Sequence, residues 1–199
     1  GKDYKNMSDQ DEAKFRMIEY HKWKFKAKIF SPLAPLTVKR TPVLMTRVEY
    51  GFLGSYNKYK KSPFETFYMG GDGMSGYSST YATETIGLRG YENGSIAGNG
   101  GYNSYGYAYS RLSMELRYPF LLEPSSTIYG LVFVEAGNAW RDLKDFNPFQ
   151  LKRSAGVGVR IFLPMIGLMG IDWAYGFDRP DGYDQRGGSN FHFIIGQEF

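Results

Sequence analysis

From Lys22 to Ile29 the chain places a lysine at every second position. Trp23, Phe25, Ala27 and Ile29 fall on one side, and Lys22, Lys24, Lys26 and Lys28 on the other. Side chains that alternate with period two belong to a β-strand, because successive Cβ atoms leave opposite faces of the pleat. A helix would spread the same lysines and aromatics around its whole circumference. The alternation begins near Phe15 and runs to Phe30, and it recurs down the chain. Between Val43 and Leu53, Leu44, Val48, Tyr50 and Phe52 oppose Met45, Arg47, Glu49 and Gly51. Between Tyr105 and Tyr118, Leu112, Met114, Leu116 and Tyr118 oppose Arg111, Ser113, Glu115 and Arg117. Ile128 to Trp140 is more apolar, with Glu135 as its one charge. Ser154 to Phe162 sets Ala155, Val157, Val159 and Ile161 against Gly156, Gly158 and Arg160. Met169, Ile171, Trp173 and Tyr175 oppose Gly170, Asp172 and Ala174, and a last strand covers 191–199.

Two folds present such strands. In a soluble sandwich, such as a carbohydrate-binding domain, the apolar face is the core and the polar face meets water. In an outer-membrane barrel the apolar face meets lipid and the polar face lines the lumen. Connection lengths favour the barrel. Segments 31–42, 119–127 and 163–167 are shorter than 54–104, 141–153 and 178–190, and short turns at one end with long loops at the other are a barrel habit. An aromatic share of 18%, with 17 Tyr and 15 Phe, suits its interfacial girdles. The longest apolar stretch, Ile161 to Ile171, is broken by Pro164, Gly167 and Gly170, so no spanning helix is expected. The expected fold class is all-β, an antiparallel transmembrane β-barrel. About seven strands cannot close up-and-down, so residues 1–199 read as one domain, the C-terminal portion of a larger barrel. The opening Gly1-Lys2-Asp3 carries no signal peptide, and the native start is expected upstream.

The formal net charge of +4 is mild and predicts no nucleic-acid partner. No cysteine is present, so disulfides and thiolate metal sites are excluded. Gly71-Asp72-Gly73-Met74-Ser75-Gly76 matches a dinucleotide fingerprint in letters only, because no helical pattern follows it. Gly73-Met74-Ser75-Gly76-Tyr77 fails as a nucleophile elbow at its last position. His21 and His192 lack a ligand-spaced third partner. No catalytic residue, cofactor or metal is expected. The long segment 54–104 holds Thr83 to Gly94, where Arg89 stands between small residues as if aimed at something. Glu115 and Glu135 could meet across adjacent strands, and a neighbouring arginine favours charge neutralisation over acid–base chemistry.

These segments also carry a family likeness. Phe64 to Gly71 (FETFYMGG) followed by Leu88-Arg89-Gly90-Tyr91 resembles the F-Y-x-G-G and V-R-G-F signature of the BamA superfamily of assembly and translocation barrels. Ser113 to Pro119, Phe133 to Asn138 and Ser154 to Arg160 resemble its following strands, and 191–199 its aromatic terminal strand. Glu135 departs from the family's usual Asp. The resemblance spans roughly residues 15–199 and implies about seven strands of a sixteen-stranded barrel, with periplasmic POTRA domains upstream. It implies that loop 54–104 folds into the lumen and that Arg89, Gly90 and Tyr91 form a lock with Glu115 and Glu135. It implies a terminal gate strand in which Phe191, Phe193, Ile195 and Phe199 face lipid and Gly196 weakens the strand. The implied function is insertion of nascent β-barrel proteins into the bacterial outer membrane through a lateral seam, with accessory lipoproteins and lipid as partners. A TamA-like or two-partner transporter and the barrel half of a lipase fusion are the alternatives.

Overall fold

The computed structural model describes residues 17–35, 37–57, 59–73, 83–96 and 105–196. Seven long strands build one antiparallel sheet in the order β1 (Tyr20–Pro32), β2 (Val43–Ser55), β5 (Ala108–Glu123), β6 (Ser126–Trp140), β7 (Lys152–Leu163), β8 (Gly167–Gly176) and β9 (Gly188–Ile195). The sheet is not closed, and β1 and β9 are its edges. Two short strands, β3 (Phe67–Met69) and β4 (Glu84–Ile86), pair in parallel inside the long connection between β2 and β5. The only helix among the described residues is a 3-10 turn at Leu143–Asp145.

The alternation read from the sequence is the division between the two faces. One face carries Arg47, Glu49, Arg111, Ser113, Glu115, Glu135, Arg160, Asp172 and His192, all buried. The other exposes Trp23, Phe25, Met114, Leu116, Val132, Val134, Val157, Ile171 and Trp173. This inverts a soluble protein, because polar groups are buried and large apolar ones are bare. The inner face is covered by the long connection, which supplies much of the apolar core. Phe67, Met69, Ile86, Leu88, Tyr91 and Ile96 from the connection pack on Leu53, Tyr109 and Ala139 of the sheet. A smaller cluster joins Leu131, Phe133 and Ala174.

Several boundaries differ from the sequence reading. β1 starts at Tyr20 rather than near Phe15, and β9 starts at Gly188, inside the loop expected over 178–190. The connection expected over 119–127 is a hairpin turn between Glu123 and Ser126, because β5 continues past Pro119. The register shifts between Pro119 and Leu121, and a bulge is where a strand tolerates a residue with no N–H to donate. The segment 54–104, which shows no sustained alternation, nonetheless contains β3 and β4, each too short to display a period. β9 ends at Ile195, and Gly196 follows with φ +75. Phe199 lies outside the described residues.

The glycines of β7 and β8 make room for charge. Gly158 faces Asp172 and Gly170 faces Arg160 across the ladder. Each charged side chain lies over the glycine opposite, and a Cβ on Gly158 would fall 1.7 Å from an Asp172 carboxylate oxygen. Gly158→Val should therefore expel Asp172 and destabilise the fold by about 3 kcal/mol. Val159→Ile, on the bare face, should change stability by less than ~0.5 kcal/mol. Urea unfolding in micelles, followed by tryptophan fluorescence, reads the difference. Coincident midpoints would contradict the packing account.

Candidate functional site

Two stretches of the long connection set the site by pairing with each other. The Gly71 amide donates to the Leu88 carbonyl at 3.1 Å, and the Leu88 amide returns the bond to Gly71 at 3.1 Å. Gly70 and Gly71 have φ +127 and +73, conformations open to glycine at little cost. This clasp aims the next residue, Arg89, at the inner face. Its guanidinium is 0% exposed. Arg89 Nη2 donates to Glu115 at 2.5 Å and to Glu135 at 2.7 Å, and Nη1 donates to Asp172 at 2.9 Å. The Arg89 backbone amide donates to the other Glu135 oxygen at 2.9 Å. The Phe133 ring lies 3.5 Å from the guanidinium carbon, a cation–π contact.

The carboxylates are themselves held. Arg117 donates to Glu115 at 2.7 Å, Arg111 to Glu135 at 3.1 Å, and Arg160 to Asp172 at 2.5 Å and 2.8 Å. Ser113 donates its hydroxyl to Glu135 at 3.0 Å. Glu49 faces Arg111 at 3.9 Å, so Arg89, Arg111, Arg117 and Arg160 meet Glu49, Glu115, Glu135 and Asp172 in equal number. Such balance is what permits burial, since desolvation of an unmatched ion costs several kcal/mol. Arg47 is the exception. It is 2% exposed, and its Nε and Nη2 find no hydrogen-bond partner among the described residues.

The residues after Arg89 extend the attachment. The Gly90 amide donates to His192 Nε2 at 3.0 Å, and a Cβ there would lie 2.9 Å from the Gly176 nitrogen and from Ser154 Cβ. With φ +88 as well, Gly90 admits no larger residue without displacement. The Tyr91 hydroxyl donates to the Arg153 carbonyl at 2.6 Å and accepts from the Asp178 amide at 3.3 Å. Burial pushes the Tyr91 phenol up to about 12, so it keeps its proton and donates at neutral pH. Asp178 pairs with Arg153 at 2.9 Å, and that donated hydrogen bond holds its carboxyl below the usual range.

The structure thus brings Arg89, Gly90, Tyr91, Glu115 and Glu135 together. Glu115 and Glu135 do not sit directly opposite each other. Glu115 pairs with Phe133 in the ladder and Glu135 with Ser113, and Arg89 bridges the diagonal. Asp172 and His192 belong to the same cluster and were not singled out for it from sequence. Their signal was inward parity on β8 and β9, which marks a face and not a partner. Phe191, Phe193 and Ile195 stand apart on the opposite face of β9, at 64%, 64% and 65% exposure.

The family model described as the Omp85 superfamily domain matches residues 14–199. The chain belongs to the Omp85 superfamily. Among solved structures it is similar to the crystal structure of BamA from Haemophilus ducreyi lacking POTRA domains 1–3, with a TM-score of 0.59 and 21% identity. The match covers 88% of this chain and 35% of that one, so the chain spans about a third of that structure's length. No curated protein matches the chain.

In this Omp85 chain a second set of charges ties the connection to β1. Lys22 reaches Glu65 at 2.8 Å and Glu84 at 2.9 Å, and Lys24 also binds Glu84. Half of the lysine row therefore finds carboxylates on the connection. These pairs are partly solvated and weaker than the Arg89 cluster. Arg89→Ala leaves three buried carboxylates short of a donor and should cost about 3–5 kcal/mol. Limited proteolysis in micelles should then cut within 83–96 at least about tenfold faster than in the parent chain. Equal protection would mean that the apolar packing alone holds the connection.

Proposed function

We propose that the chain is part of an outer-membrane insertase of the bacterial cell, which folds nascent β-barrel proteins and passes them to lipid. The observation that supports this reading is the pinned inner connection, whose buried Arg89 cluster fixes the inner face of an Omp85 sheet. In this reading the last strand parts from the first strand of the complete barrel, and the backbone N–H and C=O groups so freed template an incoming strand by β-augmentation. The exposure of Phe191, Phe193 and Ile195 supports a lipid-facing outer side for that strand, and the positive φ at Gly196 supports a turn just beyond it. The seam would lie between this last strand and the first strand of the complete barrel. The buried Arg89 cluster keeps the inner face rigid while the edge exchanges partners. Nascent barrels, accessory lipoproteins and lipid are the partners of this reading. It needs no bond chemistry and no cofactor.

A dedicated translocation barrel of the same superfamily would use the same pinned connection differently, as a plug across a passage. Depletion of the full-length protein, followed by quantitative mass spectrometry of the outer membrane, separates the two. An insertase predicts that many unrelated barrel proteins fall together, by several-fold. Loss of a single exported protein while other barrels persist would overturn the proposal in favour of the transporter.

A further inference from the structure

The bare face of the sheet is not smooth at its long-loop end. Ala136 is a small residue between Leu112 on β5 and Arg153 on β7, its partners in the two ladders. An apolar recess of about 460 Å³ opens there, lined by Leu112, Met114, Val134, Ala136 and Phe177 and capped by Arg153. A second recess of about 850 Å³ shares Leu112, Ala136 and Arg153 with the first and continues it towards the loops. Its far wall is Phe149, Lys152, Asp178 and Arg179. Both volumes fall within the roughly 300–1,000 Å³ of small-molecule sites.

The two parts differ in chemistry. The lower recess is hydrocarbon against hydrocarbon. The upper one holds three cations and, with Asp181 beside Lys152, two carboxylates. Arg153 pairs with Asp178 and Lys152 with Asp181, each at 2.9 Å. Arg179 is exposed and has no carboxylate partner among the described residues. One positive charge therefore remains uncompensated above an apolar trough, beside a Phe149 ring that is 93% exposed. A cation over a greasy slot, flanked by an aromatic, complements an amphiphile with an anionic head.

We propose that this two-part recess binds an anionic, phosphate-bearing acylated lipid. Its phosphate sits between Arg179 and Arg153, and one acyl chain runs along Leu112, Met114 and Val134. The site rests on the membrane placement proposed above and is independent of whether the barrel inserts or exports proteins. Tight lipid at this height would hold loop 141–151 and the Arg153–Asp178 pair against the sheet, close to the Tyr91 hydroxyl that ends the Arg89 attachment.

The test uses the full chain in neutral detergent, after a heat-shifted gel band has established a folded, detergent-requiring barrel protein; failure at that step would count against the membrane placement and not against the site. Micelles are then doped with phosphatidylglycerol or phosphatidylcholine of identical acyl chains, and retained lipid is counted by native mass spectrometry. Phosphatidylglycerol should be retained about tenfold better, a preference of roughly one order of magnitude in affinity. Arg179→Gln should reduce that preference to about twofold, and Ala136→Leu, which fills the trough, should lower retention of both lipids several-fold. Equal retention of the two lipids, or unchanged retention in both variants, would overturn the proposal. So would displacement of the lipid by millimolar inorganic phosphate with no effect of Ala136→Leu, because the site would then read phosphate alone.

Discussion

A guanidinium with no access to water cannot exist alone, and that constraint organises this structure. Arg89 is carried by a connection outside the main sheet, yet its charge is matched by carboxylates from β5, β6 and β8. Those carboxylates are matched in turn by Arg111, Arg117 and Arg160 from the same sheet. Removing the connection would take one donor each from Glu115, Glu135 and Asp172, and removing the sheet would leave Arg89 without these three carboxylates. Each half is the counter-ion of the other. Buried ion clusters are weak sources of net stability but strong sources of geometric uniqueness in favourable cases, because few arrangements satisfy every donor.

Apolar packing reinforces the same geometry. The inner face of the sheet is too polar to form an ordinary core, so the chain imports one. Phe67, Met69, Ile86 and Leu88 arrive on β3, β4 and their flanks, and Phe67 meets Tyr109 edge-on with ring centroids 4.6 Å apart. Glycines then decide how closely the layers approach. Gly90 lets the connection lie against β7 and β8, and Gly158 and Gly170 leave room for the charged side chains of Asp172 and Arg160 on the facing strand. The outer face has no such covering layer among the described residues, and its large apolar side chains stay bare.

Much of this was legible in the sequence. Period-two alternation marked the long strands and divided their residues correctly between the two faces, because a strand has only two faces and one of them had to be apolar. The glycines at 87 and 90 mark a hinge on either side of Arg89, and its partners Glu115 and Glu135 were implied by the family resemblance. What was not legible had local causes. Pro119 looked like a strand end because proline usually breaks a ladder, yet here it sits beside a register shift and β5 continues past it. β3 and β4, three residues each, are shorter than the period that would reveal them. Asp172 and His192 join the cluster through cross-strand register and the descent of the connection, and neither is a property of neighbouring residues in sequence.

The most direct measurement of the account is a double-mutant cycle between Arg89→Ala and Glu135→Gln, read by urea unfolding of the full chain in micelles. If the guanidinium and carboxylate hold each other as described, the double variant should be less destabilised than the sum of the single ones by at least about 2 kcal/mol. Additivity within about 0.5 kcal/mol would contradict it, since the two residues would then contribute independently and the connection would be held by packing alone.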